Sequence, residues 1–274
     1  TTYYDDEGRA IQQLEDNIKS GVDITTSQYH FDGRVMSVHE QHTAVGTGFQ
    51  AHSILSKYLH DKLGRVTEVQ QKIGTGNFTP IVSFEYDDRG RLKNKRLAPG
   101  YTGSGKNELE NLAYSYNIQE QITGINKDYA LKTNGLYNKW GNFFGLYLGY
   151  DNRDHVFAKA ELNGQVTGLL WNTMGDDAQR RYDYGYDNAG RLTSAGFTQK
   201  QNPSDTWSNS LLDFSVNGNG GKINYDLNGN ILSMLQKGVV PGSAPLNMDD
   251  LQYTYAAYSN KLMKVTDNAN SGSN

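Results

Sequence analysis

Cysteine is missing from the 274-residue sequence, which excludes disulfide staples, thiolate metal sites and thiol catalysis. Proline is scarce, at 5 residues, so rigid kinks and polyproline segments do not organise the chain. No stretch approaches the roughly 18 apolar residues of a membrane-spanning helix. No long Lys/Arg run occurs either, and the net charge is −4 with a pI near 5.9, so neither nucleic acid nor a membrane is an expected partner. Leu, Ile, Val and Phe together lie near the roughly 20% level below which highly charged chains tend to disorder, yet the small net charge argues for a folded chain. The opening Thr1-Thr2-Tyr3-Tyr4-Asp5 is neither an initiator methionine nor a signal peptide, so the sequence reads as a piece of a longer chain, with any export signal expected outside it.

What is abundant is glycine, at 30 residues, and tyrosine, at 19. They recur together. The pattern Tyr-Asp-x-x-Gly-Arg-hydrophobic appears as Tyr4-Asp5-Asp6-Glu7-Gly8-Arg9-Ala10, Tyr86-Asp87-Asp88-Arg89-Gly90-Arg91-Leu92 and Tyr186-Asp187-Asn188-Ala189-Gly190-Arg191-Leu192. His60-Asp61-Lys62-Leu63-Gly64-Arg65-Val66 replaces the tyrosine, and Tyr225-Asp226-Leu227-Asn228-Gly229-Asn230-Ile231 replaces the arginine. Phe31-Asp32-Gly33-Arg34-Val35 reads as a shortened copy, and degenerate members follow Tyr114-Ser115-Tyr116-Asn117, Leu148-Gly149-Tyr150-Asp151 and Tyr253-Thr254-Tyr255. Anchors fall roughly 25–40 residues apart, the spacing of a repeat array.

Each position has a physical reason. Asp at the first place of a four-residue turn accepts a hydrogen bond from the backbone two residues on, and Gly at the fourth supplies the left-handed conformation. Before the turn, Phe84-Glu85-Tyr86 and Tyr184-Gly185-Tyr186 set two aromatics at period two, on one face of a strand. After it, the Arg opens the returning strand and can lie over a ring or pair with an Asp. The unit is a β-hairpin with an aromatic face.

The expected fold is therefore all-β, an array of antiparallel hairpins forming a long spiralling sheet. One segment admits a second reading, because Ala10-Ile11-Gln12-Gln13-Leu14-Glu15-Asp16-Asn17-Ile18 also has the spacing of a short amphipathic helix. Gly/Ser/Asn-rich stretches at Pro99–Asn107, Gln201–Gly221 and Gly238–Pro245 read as long hairpin loops, since repeats resume after each. Residues 1–274 are thus read as a single continuous array.

On these motifs the chain resembles the YD-repeat, or RHS-repeat, family of bacterial surface and toxin-carrier proteins, related in architecture to the teneurin shell. The resemblance spans essentially the whole chain, and Gly164-Gln165-Val166-Thr167-Gly168-Leu169-Leu170-Trp171-Asn172 and Gly218–Ser233 look like RHS-associated secreted proteins. It implies a sheet spiralling into a hollow shell around a cargo or toxin domain, and a secreted or cell-surface location. Some toxin members carry an aspartyl self-cleavage site, but no Asp-Pro pair of the kind seen near such junctions occurs here, so neither toxin activity nor self-cleavage is carried over.

The remaining residues that could carry chemistry have plainer explanations. Of the histidines, His30, His39, His42, His52, His60 and His155, only His39 and His42 have ligand-like spacing, and a strand points them to opposite faces. Asp226-Leu227-Asn228-Gly229-Asn230 has calcium-loop composition without the ligand spacing. Asp5-Asp6, Asp87-Asp88, Asp176-Asp177 and Asp249-Asp250 are adjacent pairs, whereas a glycosidase draws its two carboxylates from separate elements. Gly74-Thr75-Gly76 and Gly103-Ser104-Gly105-Lys106 lack the full phosphate-loop pattern. The expectation is a structural protein, not an enzyme, with no cofactor or metal. Its expected partners are the rest of the same polypeptide, an enclosed cargo domain or the proteins that export or assemble it. The alternative is an adhesin that binds glycan or protein through Trp140, Trp171, Trp207 and the tyrosines.

Overall fold

The computed structural model describes residues 1–46, 48, 51–133, 141–151, 156–161, 163–218 and 220–269. It is all-β, built of antiparallel hairpins, with one short α-helix among the described residues. The chain divides into two compact units, Thr1–Ala113 and Tyr114–Asn274, and the division falls within one strand. No helix among the described residues is long and apolar enough to cross a membrane.

The first unit holds β1 (Thr2–Tyr4), β2 (Ala10–Asp16), β3 (Val22–Tyr29), β4 (Val35–His42), β5 (His52–His60), β6 (Val66–Ile73), β7 (Thr79–Tyr86), β8 (Leu92–Leu97) and the start of β9 (Glu110–Tyr116). Each strand pairs with its sequence neighbour. The segment open to a helical reading forms β2, because Gln12, Gln13, Leu14 and Glu15 all take ladder partners on β3. Burial here does not alternate as it would in a two-layer domain: seven of the eight residues of β6 are half-buried, on both faces. No apolar side chain of this unit is fully buried among the described residues, and its buried side chains are Ser37, Ser56 and Glu110. The sheet is a single layer, held by cross-strand contacts rather than by a core.

The second unit begins in β9 and continues through β10 (Ile122–Ile125), α1 (Lys127–Leu131), β11 (Phe144–Gly149), β12 (Gly168–Thr173), β13 (Gln179–Tyr186) and β14 (Leu192–Lys200). It ends with β15 (Val216–Asn217), β16 (Asn224–Tyr225), β17 (Ile231–Gly238), β18 (Leu246–Tyr255) and β19 (Leu262–Asp267). Here burial does alternate, buried residues taking every second place along β11 and β12. The buried face carries Tyr147 and Leu170, which pack with Ala130 of α1 and with Phe157.

Glycines on that face explain the close packing. Gly149 and Gly168 are directly opposed, and a Cβ built on either would fall 2.4 or 2.2 Å from the Phe157 ring. The ring lies on bare backbone, an aromatic covering a cross-strand glycine pair. At Gly145 a Cβ would meet the Ala130 nitrogen at 2.7 Å, so α1 also rests directly on the strand.

Of the three Gly/Ser/Asn-rich stretches, two connect consecutive antiparallel strands, β8 to β9 and β17 to β18. The stretch 201–221 is more than a loop. It returns alongside β14 through paired backbone hydrogen bonds between Gln199 and Ser208, and it contributes β15.

Candidate functional site: a ladder of hairpin turns

The repeated motif forms one turn, copied closely. At Asp5, Oδ1 accepts from the backbone N–H of Glu7 at 3.0 Å and of Arg9 at 2.9 Å, while Oδ2 accepts from Arg9 Nε at 2.6 Å. Asp61 does the same with Leu63 and Arg65, Asp87 with Arg89 and Arg91, and Asp187 with Ala189 and Arg191, the arginine Nε standing 2.7 Å away each time. In the Asp226 turn, Asn230 Nδ2 takes the place of the guanidinium at 2.7 Å. Gly8, Gly64, Gly90, Gly190 and Gly229 have φ between +77° and +89°, the region that favours glycine. Beside the turns, at Tyr4, Tyr29, His60, Tyr86, Tyr186, Tyr225 and Tyr255, the strand register slips. A positive-φ residue with an adjacent bulge is the standard way to close such a hairpin with the right twist.

The hydrogen bonds hold the carboxylates ionised. Asp5 and Asp187 are lowered first by the backbone N–H of Arg9 and Arg191, and Asp87 by the Arg91 guanidinium. Asp226 is lowered first by the Asn230 amide. At Asp61 burial pulls upward, but the Arg65 N–H and guanidinium outweigh it.

Turns of successive hairpins are joined. Arg9 lies over the Tyr29 ring at 5.1 Å, Arg65 over Tyr86 at 4.4 Å and Arg191 over Tyr225 at 4.6 Å, so the arginine of one motif covers the tyrosine of the next. Each tyrosine hydroxyl then donates to the carbonyl that follows that arginine: Tyr29 to Ala10 at 2.9 Å, Tyr86 to Val66 at 2.8 Å and Tyr225 to Leu192 at 2.6 Å. Tyr150, Tyr186 and Tyr255 make equivalent bonds to Ile122, Val166 and Ile231. A second rail runs through the turn backbones, with Arg191 Nη1 donating to the Asp226 carbonyl at 3.0 Å and Gln165 Nε2 to the Gly190 carbonyl at 2.6 Å. Chemically, acids, bases and rings are spent on one another, binding hairpin to hairpin.

Three turns depart from the Asp-x-x-Gly-Arg pattern. The copy at Phe31–Val35 is full-length, because His30 accepts from Gly33 and donates to Arg34 through its backbone, so Tyr29-His30-Phe31-Asp32-Gly33-Arg34-Val35 is the unit. Its aspartate is displaced two places, and Asp32 grips Arg34 instead, which lowers that carboxyl to about 2. A turn at Asn117 lacks both Asp and Gly, with Gln121 in the arginine position and Glu120 at φ +66° in the glycine position. A third, Asn17 to Gly21, closes the other end of a hairpin, with Ser20 at φ +55°. In both, the Asn Oδ1 accepts from the backbone N–H groups two and four residues later, the same pair of bonds that Asp makes in the other turns.

His39 bonds Ser53 at 2.8 Å, while His42 faces Asp23 at 2.5 Å and stacks near His52. Asp176 pairs with Arg180, and Asp177 with Lys132. The Trp207 ring carries Arg181 at 4.4 Å and Lys200 at 5.0 Å, and Trp171 stacks on Tyr182 at 5.7 Å. Trp140 and His155 lie outside the described residues.

No protein-family model matches the chain, and no curated protein does. Among solved structures, the crystal structure of TcdB2-TccC3-Cdc42 is similar over 90% of this chain at 11% identity, with a TM-score of 0.33. This chain spans only 16% of the length of that one. A porin-like protein from Bacteroides uniformis is similar over 74% of this chain and 91% of its own, at 14% identity and a TM-score of 0.25. At these scores neither likeness bears on function.

Proposed function

We propose that the chain is a structural wall segment of a YD/RHS-repeat protein, secreted or displayed at the cell surface, that encloses or presents a cargo domain carried elsewhere in the same polypeptide. The observation that carries this reading is the turn ladder: Tyr86 on Val66 and Tyr225 on Leu192, with Arg65 and Arg191 laid over the same two rings. Such a device adds hairpins in series without a core, which suits a thin wall. The single-layer first unit favours the same role, because a sheet half-covered on both faces suits a partition better than a globular catalyst. On this reading the protein is not an enzyme, since its acidic turns serve the ladder.

The test is protease protection in the complete polypeptide that contains these repeats. The expected result is a neighbouring domain that resists digestion until the repeat region is cut, in a protein recovered from the secreted or surface fraction. A neighbouring domain digested at the same rate with and without intact repeats would overturn enclosure, and reproducible turnover by the purified repeats would overturn the non-catalytic role.

A further inference from the structure

Beneath α1 the sheet presents two amides where apolar side chains would be expected. Asn172, 0% exposed, and Gln179, 2% exposed, stand directly opposite each other on β12 and β13. Gln179 donates Nε2 to the Ala130 carbonyl at 2.7 Å. Asn172 donates Nδ2 to the Tyr129 carbonyl at 3.4 Å and to the Asp177 carboxylate at 3.1 Å. These partners are all acceptors, so they fix both amide orientations: a flip of either would set oxygen against oxygen. Asn172 Oδ1 and Gln179 Oε1 therefore point away from α1's carbonyls, and neither has a donor among the described residues although both atoms are buried.

Two buried acceptors with fixed orientation call for a ligand that donates twice. Lys132 Nζ does not serve them, being directed at the Asp177 carbonyl at 2.6 Å, the Gln201 carbonyl at 3.4 Å and the Asp177 carboxylate at 3.3 Å. Lys132 is already compensated by the Asp177 carboxylate, so the ion pair leaves no net charge to hold an ionic ligand. The ligand is then small, neutral and a double donor.

We infer that this is a binding site for one ordered water, which gives one hydrogen to Asn172 Oδ1 and the other to Gln179 Oε1. Buried waters of this kind satisfy polar groups that the protein itself leaves open. The helix is then fastened to the sheet by a hydrated amide pair, the amide nitrogens holding α1 and the amide oxygens holding the water.

A crystal structure of the 274-residue chain at a resolution that shows solvent tests the assignment without any substitution. A solvent peak within hydrogen-bond distance of both oxygens is expected. No peak, a peak that reaches only one oxygen, or a protein donor bonded to either would overturn it. Water-to-amide magnetisation transfer in solution gives a second readout: long-lived cross-peaks to the Asn172 and Gln179 side-chain amides are expected, and Gln179→Met removes those at Asn172. Persistence of the Asn172 cross-peaks in a folded Gln179→Met protein would also count against a shared water.

Discussion

Arg65 lies 4.4 Å above the ring of Tyr86, and the hydroxyl of that tyrosine reaches the carbonyl of Val66, the next residue after the arginine. One side chain of the second hairpin is thus held by a guanidinium on its face and a carbonyl at its tip. The two contacts separate by substitution. Tyr86→Phe keeps the ring and removes the hydrogen bond, which costs about 0.5–1.5 kcal/mol. Arg65→Ala strips the cover from the ring and also leaves Asp61 without its guanidinium, so a larger drop in the urea midpoint is expected than for Tyr86→Phe. Equal or reversed effects would mean that the stacking and the Asp61 pair together contribute no more than the tyrosine's hydrogen bond.

The glycine position of the turn gives a graded test. Gly8 and Gly64 both have positive φ, where any other residue is strained by about 1–2 kcal/mol. A Cβ on Gly8 meets nothing within 4 Å, whereas one on Gly64 falls 3.0 Å from Arg34 Nη1 of the preceding turn. Gly8→Ala should therefore show the backbone cost alone, and Gly64→Ala that cost plus displacement of Arg34. The converse applies at Glu120, which adopts φ +66° with a side chain: Glu120→Gly is expected to stabilise by about 1 kcal/mol. Chemical denaturation of the three variants checks the order.

These turns were legible in the sequence because their chemistry is local. Asp, two spacers, Gly and Arg contain the acceptor, the positive φ and the cation within seven residues, so the pattern predicts the hairpin without knowledge of the neighbours. The rungs were not legible. That Tyr225 would bond Leu192, 33 residues earlier, depends on which strands become adjacent. The helix α1 is not legible because its five residues, Lys127–Leu131, are too few to show a period. Asn172 and Gln179 look like the solvent side of alternating strands, and only the helix laid across them makes them interior. The turn at Asn117 reads only as a degenerate member, because Asn117 and Glu120 stand where Asp and Gly announce a turn elsewhere.

The acidic turns set the pH response. Asp5, Asp61, Asp87, Asp187 and Asp226 are all lowered in the folded chain, and Asp32 is lowered to about 2 by its bond to Arg34. A carboxyl that is more acidic folded than unfolded adds stability above its unfolded value, near 3.9, and loses it as the pH falls through the folded one. The urea midpoint should stay level from neutrality to about pH 4.5 and fall between about pH 4 and 2. Replacing Asp61, Asp87 and Asp187 by Asn should lower the neutral-pH midpoint and flatten the acid slope; an unchanged slope would assign acid unfolding to other groups.

The ion pair between Lys132 and Asp177 fastens the end of α1 and is almost closed to solvent, with side-chain exposures of 3% and 14%. Removing one partner from such a pair leaves the other charge without compensation, a loss of about 3–5 kcal/mol. Lys132→Ala should therefore destabilise the second unit strongly. Here Lys132→Met is the informative companion: it restores the apolar stem but still strands Asp177, so it should recover only part of the loss. Lys132→Met combined with Asp177→Asn removes both charges, and should return most of the stability because neither remains to be desolvated. Thermal unfolding followed by Trp171 and Trp207 fluorescence, both in the second unit, reports the affected part. If the double variant unfolds as readily as Lys132→Ala, the lysine acts through the carbonyls of Asp177 and Gln201 rather than through the carboxylate.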